Sequence, residues 1–341
     1  MRNRGGSVLH KAVKGALLWS FFYPLRWMVP LFPRRWGLRI GMLLGLCHAL
    51  FVADSLKRRI NEGLLALRPG SPSRERKRLI RRNLIFRYQD LIESFLYRCL
   101  DRDRIERIVP RIEGISFLDE ALKEGKGAIL LMSHFGAFRT LTAALAFRGY
   151  PLHLLLALTP PPHYRTWEKL ERAIMKAKLA CWKHERLRFV FWRPGMSPRL
   201  LYRRLLQGEI VILYGDGARG TQFTRVHFIG ASLLLSTGPF RIAARAETPL
   251  IPAFILREGM DRHRIVFERE IAIKEDTPAS IQQGAEQYAS LLARYVEARP
   301  DHWYTWARLG WTVGDGERDL TLSKGVEGRT EHDLPGFDGQ Q

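Results

Sequence analysis

The 341-residue chain is poor in cysteine and lacks a long uninterrupted apolar run. Its three cysteines, Cys47, Cys99 and Cys181, lie far apart, and no Cys-x-x-Cys pair occurs. Neither a disulfide framework nor a zinc site is therefore expected, and reduced thiols of a cytosolic protein are the default. Histidines and carboxylates do not cluster at metal-ligand spacing, so we expect no metal and no bound cofactor.

Acidic residues are also scarce. The chain has 34 Asp and Glu against 55 Lys and Arg, a net charge of +21. Such a charge favours an acidic partner: nucleic acid, anionic lipid or an acidic carrier protein. We find no zinc finger, recognition-helix pattern or aromatic–glycine RNA signature, and expect no nucleic acid partner. The 46% of hydrophobic residues suffices for a full core.

Two amino-terminal stretches, residues 15–32 and 38–53, are apolar and aromatic. Charged residues or prolines interrupt both, so each continuous apolar part is shorter than the roughly 20 residues of a membrane span. Aromatic side chains mixed with arginine and lysine suit a membrane interface. We expect residues 1–67 to attach to the inner membrane with the rest of the chain on the cytoplasmic side. A single span, or a pair of ordinary buried helices, remains an alternative.

A cationic helix is predicted to begin at Ser73. Leucine and isoleucine recur at helical spacing on one face, and residues 68–87 carry eight basic side chains against one acid, Glu75. One interpretation is a solvated helix face. The other is attraction of an acidic carrier protein or of anionic phospholipid.

The most informative stretch is residues 128–139, AILLMSHFGAFR. The apolar run predicts a buried strand that stops at Ser133. His134 follows, Gly136 permits a tight turn, and a helix-forming stretch begins behind it. The imidazole would then lie at the carboxyl end of a strand, where open α/β sheets bind ligands, beside a helix amino terminus that favours an anion. A loop histidine that satisfies backbone groups is the alternative.

Strands and helices alternate after His134. The predicted strands are residues 153–158, 188–192, 210–214, 250–256 and 264–273, and the predicted helices are 164–183, 198–206 and 279–298. This pattern predicts an α/β sandwich with a largely parallel central sheet, preceded by amino-terminal membrane-associated helices. Residues 68–311 would form the domain, and the glycine- and charge-rich residues 312–341 a flexible tail.

Short motifs in a fixed order add a resemblance to a known family. They are the His134 block, Asp216-Gly-Ala-Arg219, Pro252 and PDHWYTW at 300–306. Together they resemble the bacterial lipid A biosynthesis acyltransferases of the glycerolipid acyltransferase superfamily, over residues 73–311. The resemblance implies an enzyme that moves a fatty acyl chain from acyl carrier protein or acyl-CoA to a hydroxyl of a lipid acceptor. The acceptor would be a lipid A precursor, another glycolipid or a lysolipid.

The resemblance implies that His134 is the general base. In the family an acid orients this histidine, but Arg139 occupies the acid's position here. A guanidinium close to the ring would disfavour the imidazolium. Three interpretations follow: Arg139 points away and Asp216, after the 210–214 strand, supplies the carboxylate; Arg139 binds a substrate anion; or the chain only binds lipid or acyl carrier and has lost acylation.

The predicted substrate-binding residues are Gly136, Arg139, Gly217 and Arg219. The fork of Arg219 suits a phosphate, and the resemblance implies that it holds the acceptor's phosphate. The glycines would let backbone approach the ligand, although a tight turn at a strand end explains them equally well. The aromatic residues Trp303, Tyr304, Trp306 and Trp311 are expected to pack the last helix onto the sheet, and the resemblance implies as an alternative that they line the acyl groove.

Overall fold

A seven-stranded sheet forms the centre of the computed structural model, which describes residues 24–52, 55–157, 182, 184–192, 196–217, 222–314 and 317–321. The strands in chain order are β1 (Arg111–Glu113), β2 (Ala128–Met132), β3 (Leu152–Ala157), β4 (Leu187–Trp192), β5 (Ile210–Tyr214), β6 (Phe223–Phe228), β7 (Ala231–Ser236), β8 (Leu250–Glu258), β9 (Arg262–Phe267), β10 (Gly310–Gly314) and β11 (Glu317–Thr321). The central sheet has the order β1-β9-β8-β2-β5-β3-β4, in which β8 and β9 are the antiparallel pair and the other neighbours are parallel.

Helices cover both faces of this sheet. In chain order they are α1 (Arg34–Phe51), α2 (Ser55–Leu67), α3 (Ser73–Leu96), α4 (Arg102–Ile108), α5 (Ile115–Lys123), α6 (Phe138–Phe147), α7 (Arg199–Leu206), α8 (Gly238–Ala246) and α9 (Pro278–Ala298). Helices α4, α5 and α6 share one hydrophobic core with the sheet, and α2, α7, α8 and α9 share the other. The predicted α/β fold class is confirmed.

Strands β2 and β5 place the histidine and the aspartate side by side. In β2, Ile129 and Leu131 pack into one core and Leu130 and Met132 into the other, which explains the unbroken apolar run of a strand buried on both faces. The strands are parallel neighbours in register, with Met132 opposite Tyr214. Their carboxyl ends, and the residues that follow each, therefore meet at one sheet edge.

Two strand pairs escaped sequence prediction. β6 and β7 form a hairpin whose turn contains Ile229 and Gly230, both at positive φ. Within the stretch predicted as a flexible tail, residues 312–314 belong to β10 and residues 317–321 form β11, which pairs with β7 in a four-stranded sheet of order β10-β11-β7-β6. Leu320 is fully buried there, so burial of one apolar residue offsets the poor periodicity of the stretch. Residues 322–341 and most of the predicted 164–183 helix lie outside the described residues.

Helix α1 packs closely on α3 through three glycines spaced by four residues, Gly37, Gly41 and Gly45. A Cβ on Gly45 would lie 2.5 Å from the Cα of Ile85, so only glycine permits this approach. At its start Arg34 pairs with the buried Glu93 of α3. Within the described residues no single helix is long and apolar enough to cross a membrane; α1 and α2 reach that length and composition only together, with a bend of 83° between them.

Candidate active site

His134 and Asp216 meet at the carboxyl edge of the central sheet. His134 follows β2 after one residue, and Asp216 follows β5 after one residue. The imidazole Nδ1 lies 2.8 Å from Asp216 Oδ1. Sequence reasoning proposed Asp216 as the substitute carboxylate, and the structure brings the two side chains into hydrogen-bond contact.

Asp216 is fully buried and is held by donors from two parts of the chain. The backbone N–H of His134 donates to both carboxylate oxygens, at 3.0 and 2.9 Å. Trp303 Nε1 and Thr305 Oγ1 donate to Oδ2, at 2.9 and 2.8 Å. With the contact to His134 Nδ1, both oxygens are saturated and the carboxylate has one fixed orientation.

The surroundings of the pair favour a neutral His134 and an ionised Asp216. Burial lowers the pKa of His134, against the opposing effect of the Asp216 charge, and nearby Arg308 and Arg139 lower it further. Burial by itself would raise the pKa of Asp216, but His134 and the donors from Thr305 and the backbone lower it overall. A neutral imidazole beside an ionised carboxylate is thus favoured at neutral pH. With Asp216 accepting from Nδ1–H, Nε2 carries the free lone pair.

Two aromatic rings fix the plane of the imidazole. Tyr214, the last residue of β5, stacks on it with centroids 4.5 Å apart, and Phe138 contacts it edge-on at 5.3 Å. The side chain of His134 retains 20% exposure, so part of the imidazole is accessible from solvent. Among the described residues no group of three or more histidine, cysteine or acidic side chains could hold a metal ion.

Residues 300–308, here called the aromatic segment, close the other side of the site. Phe135 and Trp303 form an antiparallel bridge, and the N–H of Tyr304 donates to the His134 carbonyl at 2.9 Å. Gly136 has a φ of +59°, and a Cβ there would lie 1.8 Å from the carbonyl oxygen of Ile255. The glycine is therefore a packing requirement of the turn. Its own N–H donates to the backbone of the aromatic segment, and its predicted substrate contact stays a prediction.

Arg139 turns toward α3. Its guanidinium forms an ion pair with Asp90 and lies 4.4 Å over the Phe138 ring. Asp90 is almost fully buried, and 30% of the Arg139 side chain is exposed. This geometry agrees with the first of the three interpretations, in which Arg139 points away from His134 and Asp216 supplies the carboxylate. Its predicted contact with a substrate anion stays a prediction.

The glycines around Asp216 make a tight turn. The N–H of Gly217 donates to the Tyr214 carbonyl at 3.3 Å. Gly215 faces Tyr288, whose ring would lie 2.3 Å from a Cβ at that position, and the Tyr288 hydroxyl donates to the Met132 carbonyl. The turn is thus required for packing. Arg219, the predicted phosphate ligand, lies outside the described residues.

Sequence reasoning missed the residues that hold the pair in place. Trp303 was expected to pack or to line the acyl groove, and Thr305 was not singled out, yet both donate to Asp216. Asn83, in the middle of α3, donates to the carbonyl oxygens of Asp301 and Trp303 and so anchors the aromatic segment. Two features of the sequence could have indicated these roles: a buried asparagine inside an amphipathic helix, and a threonine between two tryptophans.

Comparison with known proteins agrees with this architecture. The sequence model of the bacterial lipid A biosynthesis acyltransferases matches residues 10–311. The chain belongs to that family. No curated protein sequence matches it. The family match extends from the amino-terminal apolar stretch to the aromatic segment, so it includes His134, Asp216 and both donors to the carboxylate. Acyl transfer in lipid A biosynthesis is the activity that the family implies.

Proposed function

We propose that this protein transfers a fatty acyl chain from a thioester donor to a hydroxyl of a lipid A precursor or a related glycolipid. His134 is the general base, and Asp216 replaces the acid whose family position Arg139 occupies. The observation that carries the proposal is the 2.8 Å contact between His134 Nδ1 and an Asp216 carboxylate saturated by other donors. The acyl donor is acyl carrier protein or acyl-CoA.

The chemistry follows from the tautomer that Asp216 selects. His134 Nε2 accepts the proton of the acceptor hydroxyl as its oxygen attacks the thioester carbonyl. The new C–O bond forms and the C–S bond breaks. The imidazolium returns the proton to the departing thiolate, which leaves as a thiol. Asp216 stabilises the imidazolium between these steps, because its charge favours the protonated ring.

Backbone groups at the start of α6 are suited to the developing oxyanion. The helix begins at Phe138, four residues after His134. The N–H groups of Phe138 and Arg139 have no acceptors within the helix, whereas that of Thr140 donates to the Ala137 carbonyl at 2.7 Å. The helix dipole adds partial positive charge there. Donors placed where charge develops supply a large part of the rate enhancement in acyl transfer.

Attachment to the inner membrane is part of the proposal. Trp36 and Leu43 lie seven residues apart on α1, and each is more than half exposed. Arg39 lies over the Trp36 ring at 5.0 Å. Such a stripe suits a helix that lies in the membrane interface with the domain on the cytoplasmic side.

Acyl transfer by membranes that contain the protein tests this function. The membranes receive labelled acyl carrier protein or labelled acyl-CoA together with a lipid extract of the cell, and mass spectrometry identifies the labelled lipid. We expect one phosphorylated glycolipid species to gain one acyl chain. Absence of any labelled lipid with both donors would overturn the proposal and favour a protein that only binds lipid or carrier.

A further inference from the structure

Helix α3 carries a stripe of four exposed cations, Arg74, Lys77, Arg78 and Arg81. Spacings of three, four and seven residues place them on one face of the helix. None of the four forms a hydrogen bond or an ion pair with any described residue. Like charges at this spacing repel each other, so the stripe weakens the isolated helix slightly. We call these four residues the cationic stripe.

The cationic stripe lines one wall of an open groove of about 1020 Å³. Ala49 and Leu50 at the end of α1 and Lys57 of α2 also line the groove. The one acidic side chain of the groove, Glu75, lies 3.5 Å from Arg68 and is therefore neutralised by an arginine outside the stripe. The groove thus presents a concave, positively charged surface with an apolar rim.

The composition of this surface favours an acidic protein over a bilayer. Helix α3 contributes no exposed large apolar side chain, and Leu50 of α1 is the one such side chain among the described residues that line the groove. Surfaces that enter a membrane mix cations with aromatic and aliphatic residues, as α1 does through Trp36 and Leu43. A bilayer surface is also flat on this scale, whereas the groove accepts a convex partner such as a helix with a row of carboxylates.

The position of the cationic stripe relates it to the candidate active site. Arg87 lies nine positions after Arg78, which corresponds to about 14 Å along the helix. Arg87 donates to the Tyr304 carbonyl, and the N–H of Tyr304 donates to the His134 carbonyl. A partner seated in the groove therefore lies near the site but outside it. A donor that presents its acyl chain on a tether requires that arrangement.

We propose that the cationic stripe is the docking surface for an acidic carrier protein that delivers the acyl thioester to His134. This inference rests on the proposed function for the role of the partner, but the contact itself is independent of turnover. Opposite charges across such an interface chiefly accelerate association and disfavour binding of other partners. Salt screens these charges and so weakens the attraction. Arg74 and Lys77 extend the contact toward the start of α3.

Binding and transfer are measured separately to test the docking surface. The full chain in detergent is titrated against a fluorescent, purified acyl carrier protein that bears a lauroyl thioester, and binding is followed by anisotropy in 50 mM NaCl. We expect Arg78→Glu with Arg81→Glu to raise the dissociation constant at least tenfold. The matched control is Arg107→Glu with Arg203→Glu, two exposed helical arginines away from the groove, and should change it less than twofold.

The outcomes separate docking from catalysis. In transfer assays the stripe variant should raise KM for the carrier donor and leave kcat unchanged. Carrier binding that is lost in the variant while the wild type transfers nothing would support docking and refute the catalytic proposal. Unchanged carrier binding in the variant would overturn the docking surface. Loss of cosedimentation with phosphatidylglycerol vesicles, with carrier binding intact, would assign the stripe to lipid instead.

Discussion

Replacing Asp216 by asparagine should inactivate the protein through the tautomer of His134. The side chains have the same shape, so the fold should persist. Trp303 Nε1–H can only donate, and it faces Oδ2 at 2.9 Å. The amide oxygen of Asn must therefore occupy the Oδ2 position. Its NH2 group then faces His134 Nδ1, which has to accept, and the ring proton moves to Nε2.

The magnitude follows from the role of the base. A positioned general base contributes about 10²–10⁴ in rate, or about 3–5 kcal/mol at 1.36 kcal/mol per tenfold. We expect Asp216→Asn to lose turnover within this range while KM changes little. The assay is acyl transfer with the labelled donor, beside thermal unfolding to confirm that the variant is folded.

A double variant sharpens this test. Adding Trp303→Phe to Asp216→Asn removes the donor-only group that fixes the amide, so the amide can rotate and accept from Nδ1–H again. Part of the lost turnover should return, even though a second buried residue has been changed. An Asp216→Asn protein that turns over within about threefold of the wild type, an effect under about 0.7 kcal/mol, would refute the reasoning.

Three further predictions concern neighbouring residues. Because burial and nearby arginines lower the pKa of His134, the acid limb of the pH–rate profile should lie below pH 6.5, and Arg308→Gln should move it upward whereas Arg107→Gln should not. Arg139→Leu removes one ion partner of the buried Asp90 and should lower the free energy of unfolding by about 2–3 kcal/mol. This is less than the loss expected for a fully buried pair, because Arg139 is partly exposed. Urea denaturation measures the change, and an unchanged midpoint would count against a structural role. Gly136→Ala should lower both thermal stability and activity because its Cβ has no room and its φ is positive, and a variant with wild-type melting temperature would contradict the turn geometry.

Local sequence patterns sufficed to predict that His134 and Asp216 lie at the same edge of the sheet. A buried strand followed by His134, and a second strand followed by Asp216, are each visible in the apolar runs. Parallel pairing of the two strands then brings both residues to one edge. The sequence alone could not decide where the Arg139 side chain points, because its partner Asp90 lies 49 residues away on α3. Nothing local to either residue indicates that pairing.

The donors to Asp216 depend on contacts between distant parts of the chain. Trp303 and Thr305 lie 87 and 89 residues beyond the carboxylate they hold. An aromatic run is equally compatible with simple packing, so its chemistry becomes visible only when the aromatic segment is placed against β2. The β6–β7 hairpin and β11 were missed for a related reason: their pairing compensates for weak local periodicity.

The central claim, that His134 is the base of an acyl transfer reaction, is tested most directly by the turnover of His134→Gln. This variant keeps the backbone N–H that donates to Asp216 but has no basic nitrogen. Wild-type and variant proteins are compared at equal concentration in the labelled-donor assay. We expect lipid acylation by the wild type and a loss of at least about 100-fold in the variant. Equal transfer by both proteins would contradict it.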